Sequence, residues 1–109
     1  MKVIIQEEIK CDYDNLKKYL PARYIPLVNK NFYNQTVSVI CFSDKEVVTS
    51  GNLKKVVKKI KNMDITPFFF ARCFTAEAGT IVNEMNGVLF PLIDFPWTDE
   101  SYNRIIGGF

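Results

Sequence analysis

The chain of 109 residues contains no histidine. Histidine is the side chain most used for proton transfer near neutral pH, and it completes the common catalytic triads and many zinc sites. A triad or a histidine-bearing zinc site within one copy of the chain is therefore excluded. The glycine motifs G-x-x-x-x-G-K-[ST] and G-x-G-x-x-G are also missing, so we do not expect nucleotide binding by those two modes. We expect no cofactor.

Cysteines are few and widely separated. Cys11, Cys41 and Cys73 form an odd number without a close pair, which does not suit a disulfide framework or a CxxC metal site. Cys41 and Cys73 lie inside apolar runs. We interpret the cysteines as small apolar core residues.

Long apolar runs are absent as well. No window approaches the roughly 18 consecutive apolar residues of a membrane span. The first residues turn acidic at Glu7 and Glu8, unlike a signal peptide. We therefore expect a cytoplasmic protein with no membrane partner. The net charge of +2 does not by itself indicate a nucleic-acid partner.

The apolar pattern of the second half predicts a helix-strand-helix-strand unit. Two helical faces alternate with two apolar runs: Leu53, Val56, Val57 and Ile60, then Phe68–Phe70, then Ala78, Ile81, Val82 and Met85, then Val88–Phe90. We predict helices over 52–62 and 76–86 and strands over 65–74 and 88–93. The two strands that flank the later helix should be parallel neighbours. Pro91 should place the last strand at an edge or end it early.

The first half predicts further elements of the same domain. We expect a strand over 2–9, a helix over 13–20, an irregular segment over 21–34, and a hairpin made by strands 36–42 and 46–49. A short helix should follow Thr98. The predicted fold is a single α/β domain over residues 1–109, with a mixed sheet of about five strands and helices on both faces.

Several polar residues are expected to define the helix ends. Asp12 should cap the first helix, Ser50 or Asn52 the second, and Thr75 the third. Gly87 is the expected C′ residue of the third helix.

Lysines occupy the side of the second helix opposite its apolar positions. They are Lys54, Lys55, Lys58, Lys59 and Lys61. Like charges four residues apart repel by about 0.2–0.5 kcal/mol per pair, which an anionic partner would relieve. Two interpretations remain: a solvated helix surface, or a site for nucleic acid or another polyanion. No aromatic residue interleaves with these lysines.

The C-terminal region is rich in apolar and aromatic side chains. It either folds back over the core or forms an interface with a second copy or another protein. The candidate interface residues are Phe95, Trp97, Tyr102, Ile106 and Phe109.

Carboxylates are also grouped near the end of the last predicted strand. Asp94, Asp99 and Glu100 would suit a divalent cation there, or they serve as helix caps and solvated loop charges.

The segment from Phe68 to Ala78 resembles the late strand-to-helix step of restriction-endonuclease-like domains, whose element order matches about half of the chain. That resemblance implies an acidic residue on the second strand and Glu-x-Lys on the third, which hold magnesium and activate water. Here 37–42 contains no acid, and Glu46-Val47-Val48 has valine in place of lysine. Glu8-Ile9-Lys10 has the required letters but precedes the first helix. The resemblance therefore implies a relative that does not cleave.

We expect a binding role rather than catalysis. The first hypothesis is an interaction module that self-associates through its aromatic C-terminal region. The second is a nucleic-acid-associated protein that binds through the lysines of 52–62. The third is a metal-dependent enzyme that uses the carboxylates near Asp94.

Overall fold

The computed structural model describes residues 3–20, 22–42, 47–59 and 64–91. These form two sheets and four α-helices, which confirms the predicted α/β class. In chain order the elements are β1 (Val3–Lys10), α1 (Tyr13–Leu16), a 3-10 helix (Ala22–Tyr24), α2 (Ile25–Phe32), β2 (Thr36–Phe42), β3 (Val47–Val48), α3 (Ser50–Val57), β4 (Thr66–Ala71), β5 (Cys73–Phe74), α4 (Ala76–Glu84) and β6 (Val88–Pro91).

The main sheet has the strand order β1-β2-β4-β6. β1 is antiparallel to β2, whereas β2 with β4 and β4 with β6 are parallel, so the sheet is mixed as predicted. Phe68 is paired in register with Val39 on one side and Val88 on the other. The β4-α4-β6 unit is the predicted pair of parallel neighbours. β6 is the last strand of this sheet in the described chain and runs to Pro91, as expected for an edge strand.

The predicted hairpin between β2 and β3 is wrong. β3 pairs in parallel with β5 in a separate two-stranded sheet, with Val47 opposite Cys73 and Val48 opposite Phe74. Both edges of β2 are already occupied, by β1 on one side and β4 on the other. No hydrogen-bonding edge of β2 is therefore left for β3.

The predicted strand over 65–74 is divided into two. β4 ends at Ala71, the chain bends at the exposed Arg72, and β5 continues into the small sheet. The bend moves the chain from the main sheet to β3, which lies just before α3.

Helices cover both faces of the main sheet, as predicted. Successive strand residues point to opposite faces, so Phe68 and Phe70 pack on one side and Phe69 on the other. The first face meets α1, the 3-10 helix and α2, through Leu16, Tyr24, Ile25 and Val28 among others. The second face meets α3 and α4, through Leu53, Val56, Ala78 and Val82.

The segment predicted to be irregular contains α2, and the first helix is shorter than predicted. α1 spans Tyr13–Leu16, and its cap is Asp12 as expected, since the Asp12 carboxylate accepts the N–H of Asn15 at 2.9 Å. In α2, Ile25 and Val28 are buried, and Pro26 lies in the first turn. Proline is tolerated there because the N–H it lacks has no helical partner.

The start of α3 also differs from the prediction. The cap is Thr49, whose hydroxyl accepts the N–H of Asn52 at 3.2 Å, rather than Ser50 or Asn52. The cap of α4 is Thr75 as predicted, with the N–H of Ala78 donating to its hydroxyl at 3.2 Å.

The end of α4 forms a Schellman motif. The N–H of Gly87 donates to the carbonyl of Val82 at 2.9 Å, and that of Asn86 donates to Asn83 at 3.1 Å. Asn86 has the left-handed conformation, with φ of 57°, and occupies the C′ position that was predicted for Gly87. Gly87 follows at C″ and does not have a positive φ. Glycine is favoured there because a side chain would lie too close to Val82 and Pro67.

The predicted helix after Thr98 lies outside the described residues. Within the described part of the chain, no helix has the length and apolar character needed to cross a membrane.

Candidate polyanion-binding surface

Helix α3 presents a surface of basic side chains to solvent. Leu53 and Val56 are buried against the sheet, which fixes the rotation of the helix. The lysines between and after them are exposed, whereas Val57 is half-buried. We call the four exposed residues Lys54, Lys55, Lys58 and Lys59 the lysine surface. Lys61, the fifth predicted member, lies outside the described residues.

In the described part of the chain, the lysine surface has no acidic partner within ion-pair distance. Residues 47–59 include four lysines and no aspartate or glutamate. Among the described residues, no carboxylate lies within 4.0 Å of a lysine-surface amine, and the one ion pair is Lys17 with Asp14, at 3.4 Å. Lys54 and Lys55 are in the last turn of α3, where positive charge also interacts favourably with the helix dipole. The helix dipole therefore gives Lys54 and Lys55 some stabilisation. It does not neutralise their charge, which remains exposed to solvent.

The other predicted site residues lie outside the described part of the chain. These are the candidate interface residues Phe95, Trp97, Tyr102, Ile106 and Phe109 and the carboxylates Asp94, Asp99 and Glu100. Self-association through the C-terminal region and a metal site near Asp94 therefore stay predictions. Within the described ranges, no three cysteine, aspartate or glutamate residues are grouped as a metal site would require.

The three cysteines are free thiols in the structure. Cys11 is fully buried in the first core, and its Sγ donates to Oδ1 of Asn29 at 3.7 Å. Burial, and to a lesser extent the charge of Asp12, raises the pKa of the Cys11 thiol to about 11. Burial followed by the charge of Glu7 raises the pKa of the Cys41 thiol to about 11 as well. Neither thiol is suited to nucleophilic chemistry near neutral pH, because the thiolate is the reactive form.

A protein whose only cysteine is Cys41 is expected to titrate its thiol near pH 11, against an ordinary value of 9.0. The pH dependence of the Cβ chemical shift of ¹³C-labelled cysteine, followed by NMR, measures the midpoint in the Cys11→Ala/Cys73→Ala variant. The unfolded chain releases this proton first, so the stability contributed by the partly buried thiol is present below about pH 9 and is lost as the pH rises to about 11.

The urea-unfolded protein is the control for this titration, with a midpoint near 9. Adding Glu7→Gln should lower the folded midpoint without returning it to 9, because burial is the larger cause. A folded midpoint equal to the unfolded one would contradict the prediction.

A shallow groove of about 420 Å³ lies between α4 and β6. Ala76, Gly79, Thr80, Asn83 and Leu89 are among its lining residues. The Thr80 hydroxyl donates to the carbonyl of Ala76 at 3.2 Å within the helix. Among the described residues, the lining includes no acid, base or thiol.

Two exposed tyrosines were not recognised from the sequence as site residues. Tyr13 has helical spacing from Leu16 and Leu20, which are buried, but its own side chain is 51% exposed. Tyr33, just after α2, is 62% exposed. Hydrogen bonds between Cys11 and residues 34–35 join the two segments that carry these tyrosines, and no local sequence pattern shows such contacts.

No protein-family model, curated protein or solved structure matches the chain. The resemblance to restriction-endonuclease-like domains therefore stays a prediction.

Proposed function

We propose that this protein is a nucleic-acid-binding domain whose contact with phosphates is made by the lysine surface of α3. The observation that supports this proposal is a set of four exposed lysines, two in the last turn of α3 and two directly after it, without a carboxylate within ion-pair distance among the described residues. Such a surface attracts polyanions, and phosphate contacts supply most of the affinity of non-specific nucleic-acid binding.

The spacing of the lysines suits a linear array of phosphates. Lys54 and Lys58 are four residues apart, as are Lys55 and Lys59, so each pair is separated by about 6 Å along the helix axis. One strand of a duplex has a phosphate about every 3.4 Å of axis. Two successive turns of the helix can therefore contact phosphates that are about two steps apart. Lysine provides such contacts as a point charge on a long flexible stem, without reading sequence.

Replacing lysine pairs of α3 with glutamine is expected to weaken nucleic-acid binding and its dependence on salt. Fluorescence anisotropy with a labelled oligonucleotide measures Kd over a series of salt concentrations. Each lost phosphate contact should reduce the slope of log K against log salt by about 0.9 for duplex and about 0.7 for single strands. We expect this for both Lys54→Gln/Lys55→Gln and Lys58→Gln/Lys59→Gln.

The matched control is Lys17→Gln/Lys18→Gln, which removes the same charge from the segment after α1 on the opposite face of the sheet. This variant should retain most of the salt slope. Equal losses in all three variants would show a general charge effect and reject the lysine surface as the site. If the wild-type protein binds neither duplex nor single strand at low salt, nucleic-acid binding itself is rejected.

A further inference from the structure

Asn86 and Gly87 form the only Asn-Gly pair in the chain. In such a pair the backbone nitrogen of glycine can attack the side-chain amide of asparagine, because glycine has no side chain to hinder the approach. A bond then forms between the Gly87 nitrogen and Cγ of Asn86. The bond from Cγ to Nδ2 breaks, and Nδ2 leaves as ammonia with the proton that the Gly87 nitrogen gives up. Water opens the resulting succinimide ring at either carbonyl, which gives aspartate or isoaspartate.

The backbone conformation of Asn86 opposes this attack. Ring closure requires Cβ of Asn86 and the Gly87 nitrogen to lie on the same side of the bond between Cα and the carbonyl carbon. Asn86 is left-handed, with φ of 57°. The ψ typical of that region, about +47°, places the two atoms nearly opposite each other. The Gly87 nitrogen is thus directed away from the amide that it would attack.

Hydrogen bonding and packing hold the Gly87 nitrogen in this position. Its N–H donates to the carbonyl of Val82 at 2.9 Å, and the N–H of Asn86 donates to Asn83 at 3.1 Å. Gly87 also lies so close to its neighbours that a Cβ would be 2.9 Å from Cγ1 of Val82 and 3.1 Å from Cγ of Pro67. Rotating the peptide group between Asn86 and Gly87 therefore has to break the Val82 hydrogen bond and separate the end of α4 from β4.

We infer that Asn86 is a deamidation site that the folded protein keeps closed and that reacts when the end of α4 opens. Asn86 is exposed to solvent, so water already surrounds the side chain, and only the backbone has to be released. The rate of reaction in the folded protein is then the rate of the open chain multiplied by the fraction of time that this end is open. Local openings of this kind have free energies that range from almost zero to that of global unfolding.

The products cannot rebuild the same helix end. Isoaspartate adds a methylene group to the backbone between α4 and β6, so the hydrogen bond from Gly87 to Val82 and the close approach to Pro67 lose their geometry. Aspartate keeps the backbone but adds a negative charge at the C-terminal end of α4, where the helix dipole is also negative and Glu84 is the last residue. Deamidation therefore makes this end easier to open, and refolding does not reverse it.

Peptide mapping of the whole protein by mass spectrometry tests the inference. Conversion of Asn86 is followed over time at mildly alkaline pH, and electron-transfer fragmentation separates isoaspartate from aspartate. We expect the folded protein to react at least about tenfold more slowly than the protein unfolded in guanidinium chloride. A synthetic peptide of residues 83–90 gives the rate of the open chain. A folded protein that reacts as fast as this peptide, or an unfolded protein that does not react, would reject the site.

Two variants of α4 test whether opening of this helix controls the reaction. Thr75→Ala removes the hydroxyl that accepts the N–H of Ala78, and it should speed conversion in the folded protein. Gly79→Ala favours the helix and has room for the methyl group, so it should slow conversion. Both variants leave Asn86 and its neighbours unchanged, so in guanidinium chloride they should react like wild type. Equal folded-state rates in all three proteins would reject opening of α4 as the controlling step.

Urea denaturation tests the effect of the products. The purified isoaspartate form and the variant Asn86→Asp should both have lower urea midpoints than wild type. The isoaspartate form should show the larger decrease, because its backbone is altered as well as its charge. Midpoints equal to that of wild type would reject the weakening of the helix end.

Discussion

Replacing Phe70 with alanine is expected to lower the free energy of unfolding by about 3–5 kcal/mol. Phe70 is buried in β4, and its ring stacks on Phe90 with centroids 4.5 Å apart and planes within 9°. Tyr19 packs beside it at 5.6 Å. Deleting the ring removes these contacts and leaves a cavity between β4, β6 and the segment after α1. The free energy of unfolding of a domain of this size is about 5–15 kcal/mol in total. This variant should therefore be close to unfolding at room temperature.

Urea denaturation followed by circular dichroism measures this loss. The matched control is Phe74→Ala in β5, where the same side chain is only partly buried at the margin of the second core. Phe74→Ala should lower the free energy of unfolding clearly less than Phe70→Ala, because part of the Phe74 ring is already in contact with water. Equal losses at the two positions would contradict the central place of Phe70 in the core.

The apolar spacing around Phe70 was sufficient to predict the centre of the fold. A short apolar run between two helical repeats has few solutions other than a buried strand covered on both faces. The helical positions that face the sheet were predicted in the same way, as the burial of Leu53 and Val82 confirms.

The parts that could not be predicted depend on competition between distant segments. β3 has only two residues, so its pairing has no pattern of its own. Its partner is decided by which strands already occupy the edges of β2.

The prediction missed α2 for a different reason. Residues 21–34 were predicted to be irregular, although Ile25, Val28 and Phe32 have helical spacing and proline, here Pro26, is common in the first turn of a helix.

In the candidate site too, features set by local spacing could be predicted, whereas contacts between distant segments could not. Exposure of Lys54 and Lys55 follows from burial of Leu53 and Val56, which are neighbours in sequence, so the helical pattern predicted it. The hydrogen bonds of Cys11 with Asn34 and Gln35 instead connect segments that are far apart in the sequence. Single-sequence patterns contain no information on such contacts.

Replacing Gly87 with alanine is expected to destabilise the protein by about 1–3 kcal/mol through overpacking. A Cβ at this position would lie 2.9 Å from Cγ1 of Val82, 3.1 Å from Cγ of Pro67 and 3.3 Å from the Pro67 carbonyl oxygen. Val82 is buried and branched at Cβ, and the proline ring and backbone oxygen are fixed in β4, so none of these atoms can move aside easily. Backbone strain makes no contribution, because φ of Gly87 is not positive.

Gly79→Ala is the matched control, and we expect the opposite sign. Gly79 lies inside α4, and a Cβ there would meet only Cδ1 of Leu89, at an ordinary contact distance of 3.6 Å. Alanine should therefore stabilise the helix by about 0.5–1 kcal/mol relative to glycine. Thermal and urea unfolding of the two variants should move in opposite directions from wild type. If Gly87→Ala were as stable as Gly79→Ala, the close approach between the end of α4 and β4 would not exist in solution, since both substitutions add the same methyl group and restrict the unfolded chain equally.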